Sequence, residues 1–278
     1  MTKRGPEASE ATALYVFAAC RALDPAAVAD LPGITHEQPV RTLPFGSLTA
    51  VVQSVRAADF TDEAWEARLA DERELERYAR AHHAVVTAVA AQCPTVPLPL
   101  ATLYHGEDRA REALAQESAR FETALRRIAH HSEWGVKVYA PDAPASGSPA
   151  PDSSVPAPGS SAPSPSERTR PAPGAGLAYL NRKRGLQEMR ERRQEEATRT
   201  AEEVDAELQS LATAFRRLRP HGPQLPGEHR VQVLNATYLV AEDRADELAR
   251  LAEVLRNRTG AEIELSGPWV PYSFVGEV

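Results

Sequence analysis

The alternation of apolar and polar positions divides the first 140 residues into short strands and amphipathic helices. The apolar run at 13–20 fits a buried strand. Thr61 is placed to cap a long helix that Pro94 must end. In order, the predicted elements are a strand at 13–20, a strand pair at 39–55, a helix at 61–94, an extended piece at 94–105, a helix at 107–130 and a strand at 133–140.

This order of elements predicts an α+β domain over residues 11–140. Its helices are segregated among a few strands that we expect to be antiparallel, so the arrangement is of the ferredoxin-like type. The strand at 133–140 is expected to close the domain. Residues 1–10 are expected to form a disordered N-terminus.

A linker is predicted at residues 141–175, where the amphipathic pattern stops. Ten of these thirty-five residues are proline, most of the others are Ala, Ser or Gly, and Val155 is the single large apolar residue. Such a segment cannot bury enough surface to offset its ordering entropy. We therefore expect a disordered, semi-extended Pro/Ser-rich linker.

The pattern returns at residues 176–220 as a long helical, coiled-coil-like segment. Its second half has apolar residues at alternating spacings of four and three, which is a heptad seam. A seam of this kind must be covered by a partner helix, from the same chain or from another one. The seam consists of Ala197, Ala201, Val204, Leu208, Leu211, Phe215 and Leu218.

Residues 221–278 are expected to form a second, smaller domain with a β-α-β order. A strand at 229–240 is followed by a helix at 242–260, which has Gly260 as its C-cap. An alternating strand at 261–269 completes the unit.

The chain then carries three aromatic residues, Trp269, Tyr272 and Phe274, among two prolines. Large aromatic side chains supply apolar contact area at low entropic cost. They either fold back and cover the sheet, or they present a docking edge to a partner protein. The sequence leaves both alternatives open.

Composition and charge limit the kinds of function that this protein can have. The net charge of −7 argues against a nucleic-acid-binding protein. The basic cluster from Arg182 to Arg193 keeps a nucleic-acid adaptor as an alternative, although no aromatic residues lie among its cations to stack bases. Cys20 and Cys93 have no metal-like spacing and are expected to be reduced thiols of a cytoplasmic protein. No segment approaches the length of a membrane helix.

We find no motif for nucleophilic catalysis, phosphate binding or a dinucleotide, so no catalytic, metal-binding or cofactor-binding residue is assigned and we expect no enzyme. Adjacent histidines on a helix point about 100° apart and chelate poorly as a pair. An unrecognised histidine site of a metal-dependent hydrolase remains the alternative. The histidines are His36, His82, His83, His105, His130, His131, His221 and His229.

Five blocks, in this order, resemble the gas vesicle protein L/F family. They are VPLPLATLYHGEDRAREAL (96–114), EWGVKVYA (133–140), GLAYLNRKR (176–184), VLNATYLVAEDRADEL (233–248) and IELSGPWVPYSF (263–274). Ala101 stands where the family commonly has glycine, so the sequence gives no support for a special backbone turn at that position. The family has F-like and L-like members, and the blocks do not decide between them.

The resemblance implies an accessory or minor structural protein of gas vesicles, with two α+β domains and no cofactor. Such a protein is expected in the cytoplasm or on the vesicle. Its partners would be the small hydrophobic shell protein and other gas vesicle proteins during nucleation and assembly, and not nucleic acid, membrane or a small-molecule substrate. The residues that we expect to bind these partners are Leu208, Leu211, Phe215, Trp269, Tyr272 and Phe274.

Overall fold

A computed structural model of the chain describes residues 12–139, 175–220 and 231–276. Helices and two separate β-sheets make up these ranges, which confirms the α+β class. The predicted N-terminal segment 1–10 and nearly all of the predicted linker 141–175 lie outside the described residues.

The first sheet is antiparallel, and four of its strands follow the order β2-β3-β1-β4. A short fifth strand, β5, pairs with β1 as well, at Leu14 and Tyr15, whereas β4 pairs with the end of β1. Helices lie on both faces, which is why β1 is an unbroken apolar run. The strands are β1 (Thr12–Cys20), β2 (Val40–Phe45), β3 (Leu48–Arg56), β4 (Thr95–Pro97) and β5 (Leu103–Tyr104).

Five α-helices lie within the described residues 12–139. Side chains of α3 pack on one face of the sheet, with Tyr15 and Phe17 of β1. Side chains of α4 and α5 pack on the other face, with Leu14 and Val16. The helices are α1 (Ala26–Ala29), α2 (Asp62–Leu69), α3 (Glu72–Ala90), α4 (Glu107–Gln116) and α5 (Ser118–Ile128).

The long helix predicted at 61–94 is two helices. Thr61 caps the first as predicted, since its side chain accepts a hydrogen bond from the Ala64 amide. The Asp71 carboxylate then accepts hydrogen bonds from the amides of Arg73 and Glu74 and starts α3. An aspartate that satisfies the first amides of a new helix competes with continuation of the old one. The helix predicted at 107–130 is likewise divided, into α4 and α5.

The second sheet is also antiparallel and has the order β7-β8-β6-β9. The strand that we expected to close the first domain is β6, and that expectation is wrong, because β6 pairs with β8 and β9 in the second sheet. The two strands of the predicted β-α-β unit, β8 and β9, are therefore separated by β6. The strands are β6 (His131–Tyr139), β7 (Ala214–Arg217), β8 (Gln232–Ala241) and β9 (Glu262–Trp269).

Helices α6 (Ala175–Gln209) and α7 (Ala245–Thr259) cover one face of the second sheet. Gly260 has a φ of 67° and ends α7, as predicted. The helix predicted to reach residue 220 instead ends at Gln209, because the chain from Ala214 onward pairs with β8 as β7.

A left-handed backbone turn is present at Ala101, whose φ is 62°. The amide of Ala101 donates a hydrogen bond to the Tyr15 hydroxyl at 3.2 Å. The absence of glycine thus does not remove the turn, although a Cβ in this conformation costs roughly 1–2 kcal/mol.

Gly267 lies where the register between β6 and β9 shifts, and it has a φ of 138°. A Cβ at this position would meet the Glu133 carbonyl oxygen at 2.9 Å and the Trp134 ring at 2.9 Å. Glycine is therefore required here both by the backbone conformation and by close packing.

We expect Gly267→Ala to lower the free energy of unfolding by about 2 kcal/mol or more, because it adds strain and a steric clash together. Urea denaturation measures the change. Gly185→Ala is the matched control, since a Cβ at Gly185 in α6 meets nothing within 4 Å. Equal effects of the two substitutions would contradict this account of Gly267.

Candidate partner-binding surface

The chain beyond β9 crosses the β4 edge of the first sheet. Val270 packs into the apolar cluster on the α3 face of that sheet, and Phe274 packs into the cluster on the α4–α5 face. The two side chains are 8% and 3% exposed. A single short segment thus contacts both faces of the first sheet, and Pro94, Pro97 and Pro99 make β4 an edge that no further strand can pair with readily.

A buried carboxylate holds the turn that follows. Glu133 of β6 is 7% exposed. Its Oε1 accepts a hydrogen bond from the Ser273 hydroxyl at 2.6 Å, and its Oε2 accepts one from the Ser273 amide at 2.9 Å. The Arg216 guanidinium of β7 donates to the Ser273 carbonyl at 3.5 Å. Both sheets therefore hold the segment.

Two of the aromatic residues remain partly exposed to solvent. Trp269 is 49% exposed and Tyr272 is 38% exposed. His83 of α3 lies beside both, with ring-centroid distances of 6.3 Å to Trp269 and 5.9 Å to Tyr272. The Tyr272 hydroxyl is 3.4 Å from Nδ1 of His83. Partial burial raises the pKa of Tyr272 to about 12.

A cleft of about 650 Å³ opens beside Tyr272. Its walls come from the β4 edge, the β5 region, α4, α5 and the turn after β9. Most of its lining is apolar, and Glu117 and Arg120 form an ion pair of 3.0 Å beside it. A largely apolar cleft with a few charged groups at its rim is the usual form of a binding site. The apolar lining consists of Val96, Pro97, Leu98, Pro99, Tyr104, Ala113, Phe121, Tyr272 and Val275.

The other predicted partner-binding residues do not lie on this surface. Leu208 and Leu211 are buried in the core between α6, α7 and the second sheet. The part of the seam that lies on α6 is thus covered within the same chain, by the second sheet together with α7. Phe215 is 48% exposed, but it lies on β7, at the opposite edge of the second sheet from Trp269. Phe274 is buried, as described above.

Asp205 is a buried residue that the sequence reasoning missed, because the run 195–207 reads as a solvated acidic face. Its side chain is fully buried, and it accepts hydrogen bonds from the Tyr238 hydroxyl, the Arg217 guanidinium and the Gln209 amide. Burial, followed by the bond to Asp205, raises the pKa of Tyr238. The position of Asp205, directly after Val204 of the seam, is the signal that could have identified it.

The histidines have different surroundings and different hydrogen-bond partners. His82 is buried, and its Nδ1 is hydrogen-bonded to the Tyr15 hydroxyl at 2.9 Å. Burial lowers the pKa of His82 to about 4. His131 contacts the Ala129 carbonyl and the Thr213 hydroxyl instead. Among the described residues, no group of three or more His, Cys, Asp or Glu side chains could hold a metal ion.

The basic cluster from Arg182 to Arg193 lies in the first half of α6. The described side chains of this half are exposed, and Ala197 is the first buried residue of the helix among those described. Within the described ranges, no helix is both long and apolar enough to cross a membrane.

Comparisons with known proteins agree on one class. A family model described as gas vesicle synthesis protein GvpL/GvpF matches residues 13–276. Gas vesicle protein L of Streptomyces sp. (strain CB03234) is 34% identical over 266 residues, which are 94% of this chain and 92% of that protein.

Two crystal structures of gas vesicle proteins are similar in fold. GvpF from Anabaena sp. PCC7120 has a TM-score of 0.62 at 14% identity, covering 96% of this chain and 97% of that one. GvpF from Microcystis aeruginosa has a TM-score of 0.59 at 12% identity, covering 95% and 99%. The chain is thus a gas vesicle-related α+β protein. It belongs to the GvpL/GvpF family.

We expect Glu133→Gln to weaken the attachment of the turn after β9, because a neutral amide cannot accept both hydrogen bonds from Ser273. Loss of a buried charge-assisted hydrogen bond costs about 1.5–3 kcal/mol. Hydrogen exchange of the Ser273 amide measures the effect and should become faster. Glu253→Gln on the exposed side of α7 is the control. Unchanged protection of Ser273 in the Glu133 variant would contradict this role.

We expect stability to fall as the pH drops from 6.5 towards 4. The pKa of His82 is lower in the folded state than in the unfolded chain, so the unfolded state binds more protons in this range. A shift from 6.5 to about 4 corresponds to roughly 3 kcal/mol of unfolding free energy. Urea denaturation across this pH range measures the loss.

The matched pair for this measurement is His82→Gln and His83→Gln. Substitution of the buried His82 should flatten the pH dependence, while substitution of its partly buried neighbour His83 should change it much less. The same slope in both variants would show that another group carries the effect.

Proposed function

We propose that this protein is a gas vesicle accessory or minor structural protein that acts in nucleation and assembly. It does so by binding the small hydrophobic shell protein and other gas vesicle proteins. Its action is binding and not catalysis. Membership of the GvpL/GvpF family supports this proposal.

The observation that carries the proposal is the pair of exposed aromatic side chains Trp269 and Tyr272, of which Tyr272 lines the apolar cleft. Trp269 and Tyr272 are 49% and 38% exposed, although Val270 and Phe274 of the same segment are buried. Exposed aromatics on a fixed backbone beside a concave apolar surface are typical of protein-binding hot spots. A small hydrophobic protein is a partner that this surface suits chemically.

The α6 seam supports partner binding less well. Docking through Leu208 or Leu211 would need these side chains to leave a filled core. Truncation of a buried leucine costs about 2–5 kcal/mol, so a change in binding after such a substitution would report unfolding. The aromatic surface is therefore the better candidate.

We further infer that both units are ferredoxin-like. Each has the element order β-α-β-β-α-β, with β1 to β4 in the first unit and β6 to β9 in the second. In each unit the strands lie in the same order across the sheet: second, third, first and fourth, counted along the chain. The first unit alone was expected to have this arrangement.

We expect Trp269→Ala to reduce capture of the shell protein roughly tenfold or more, because truncating an aromatic hot spot costs about 2 kcal/mol or more. The measurement is co-expression of the two proteins followed by a pull-down, with the retained shell protein quantified per mole of this protein. Circular dichroism establishes that the variant is folded.

Phe215→Ala is the matched control, because Phe215 is an aromatic residue of similar exposure on the far edge of the second sheet. It should retain shell protein as the wild type does. Loss of capture in the Phe215 variant alone would place the partner at the β7 edge. Equal capture by all three proteins would exclude the aromatic surface as the shell-protein site.

A further inference from the structure

The two cysteines, far apart in the sequence, are neighbours in the fold. Cys20 is the last residue of β1, and its Cα pairs with that of Thr95 in β4. Cys93 precedes Thr95 by two residues, on the connection from α3 to β4. Both side chains pack in the apolar cluster on the α3 face of the first sheet, and the Cys93 sulfur lies 4.0 Å from the hydroxyl oxygen of Thr95, the cross-strand partner of Cys20.

The two thiols differ in accessibility. Cys20 is fully buried, and its thiol donates to the Thr49 carbonyl at 3.6 Å. Cys93 is half-buried and contacts the Val89 carbonyl and the Thr95 hydroxyl. The neighbouring Cys20 thiol lowers the pKa of Cys93, while the neighbouring Cys93 thiol and burial raise the pKa of Cys20. Cys93 is therefore the thiol with thiolate character.

A cleft of about 230 Å³ reaches Cys93 from solvent. Its walls include Gln92 and Pro94 on one side and His131 and Pro271 on the other. Cys93 lines this cleft, whereas Cys20 does not and is buried in the core.

We propose that Cys93 and Cys20 form a peroxide-sensitive redox pair, in which Cys93 is oxidised first and Cys20 then closes an intramolecular disulfide. The oxidant class is a hydroperoxide, with hydrogen peroxide as the smallest member. The accessible sulfur with a second thiol beside it is the arrangement of a reacting cysteine and its resolving partner.

The two steps balance. The Cys93 thiolate attacks one peroxide oxygen, the O–O bond breaks, and the released hydroxide takes a proton to give water and a sulfenic acid on Cys93. The Cys20 sulfur, after losing its proton, attacks the Cys93 sulfur. The S–O bond breaks and the second hydroxide leaves as water. Two thiols lose two electrons in total, and one peroxide gains two.

This bond would tie the end of β1 to the residues before β4, which is the edge crossed by the chain after β9. Thioredoxin-type or glutathione-type thiols would reverse it by thiol–disulfide exchange.

The test is mass spectrometry of the folded full chain after treatment with hydrogen peroxide, digested without reducing agent. We expect a single peptide pair that joins Cys20 to Cys93 within one chain and is lost on reduction. Two unmodified thiols, or a disulfide only between chains, would overturn the proposal. This measurement needs no variant.

Two variants assign the roles, with dimedone present to trap sulfenic acid. Cys20→Ala should give a stable dimedone adduct on Cys93, because no resolving thiol remains. Cys93→Ala should leave Cys20 unmodified while the chain is folded. Oxidation of Cys20 at the wild-type rate in the second variant would overturn the assignment of Cys93 as the reacting thiol.

Discussion

The packing of Val270 and Phe274 on opposite faces of the first sheet is the contact on which the arrangement of this molecule depends. The segment between them crosses the β4 edge, and β6 of the second sheet holds it through the Glu133 carboxylate. Two sheets that share no strand are thereby joined through one short turn, together with Leu239 of β8, which packs in the same apolar cluster as Phe274. A buried carboxylate is costly to leave unpaired, so its bonds to Ser273 also specify where the turn must lie.

The same crossing determines what stays exposed. Val270 and Phe274 face the first sheet and are buried, whereas Trp269 and Tyr272 stay partly exposed, and Tyr272 lines the apolar cleft. Helix α6 contrasts with this segment, because the second sheet and α7 bury its seam residues Ala201, Val204 and Leu208. The surface that we propose for binding other gas vesicle proteins therefore lies at the junction of the two units.

Buried chemical groups concentrate near the same edge. His82 and Tyr15 are hydrogen-bonded on the α3 face, and the left-handed turn at Ala101 donates to the same hydroxyl. The Cys20–Cys93 pair lies on this face as well. Protonation of His82 or oxidation of the two thiols would thus act on the part of the first sheet that contacts the chain after β9.

Local features of the fold could be read from the sequence, because neighbouring residues encode them. The strand at 13–20, the cap at Thr61, the C-cap at Gly260 and the family resemblance are of this kind. Only the tertiary structure decided which sheet β6 joins, since its apolar alternation fits either sheet. Periodicity likewise identified the apolar stripe of α6 but not what covers it, and it gave no sign that Asp205 pairs with Tyr238 and Arg217. These outcomes depend on contacts between residues far apart in the chain, where pairing and burial outweigh local preference.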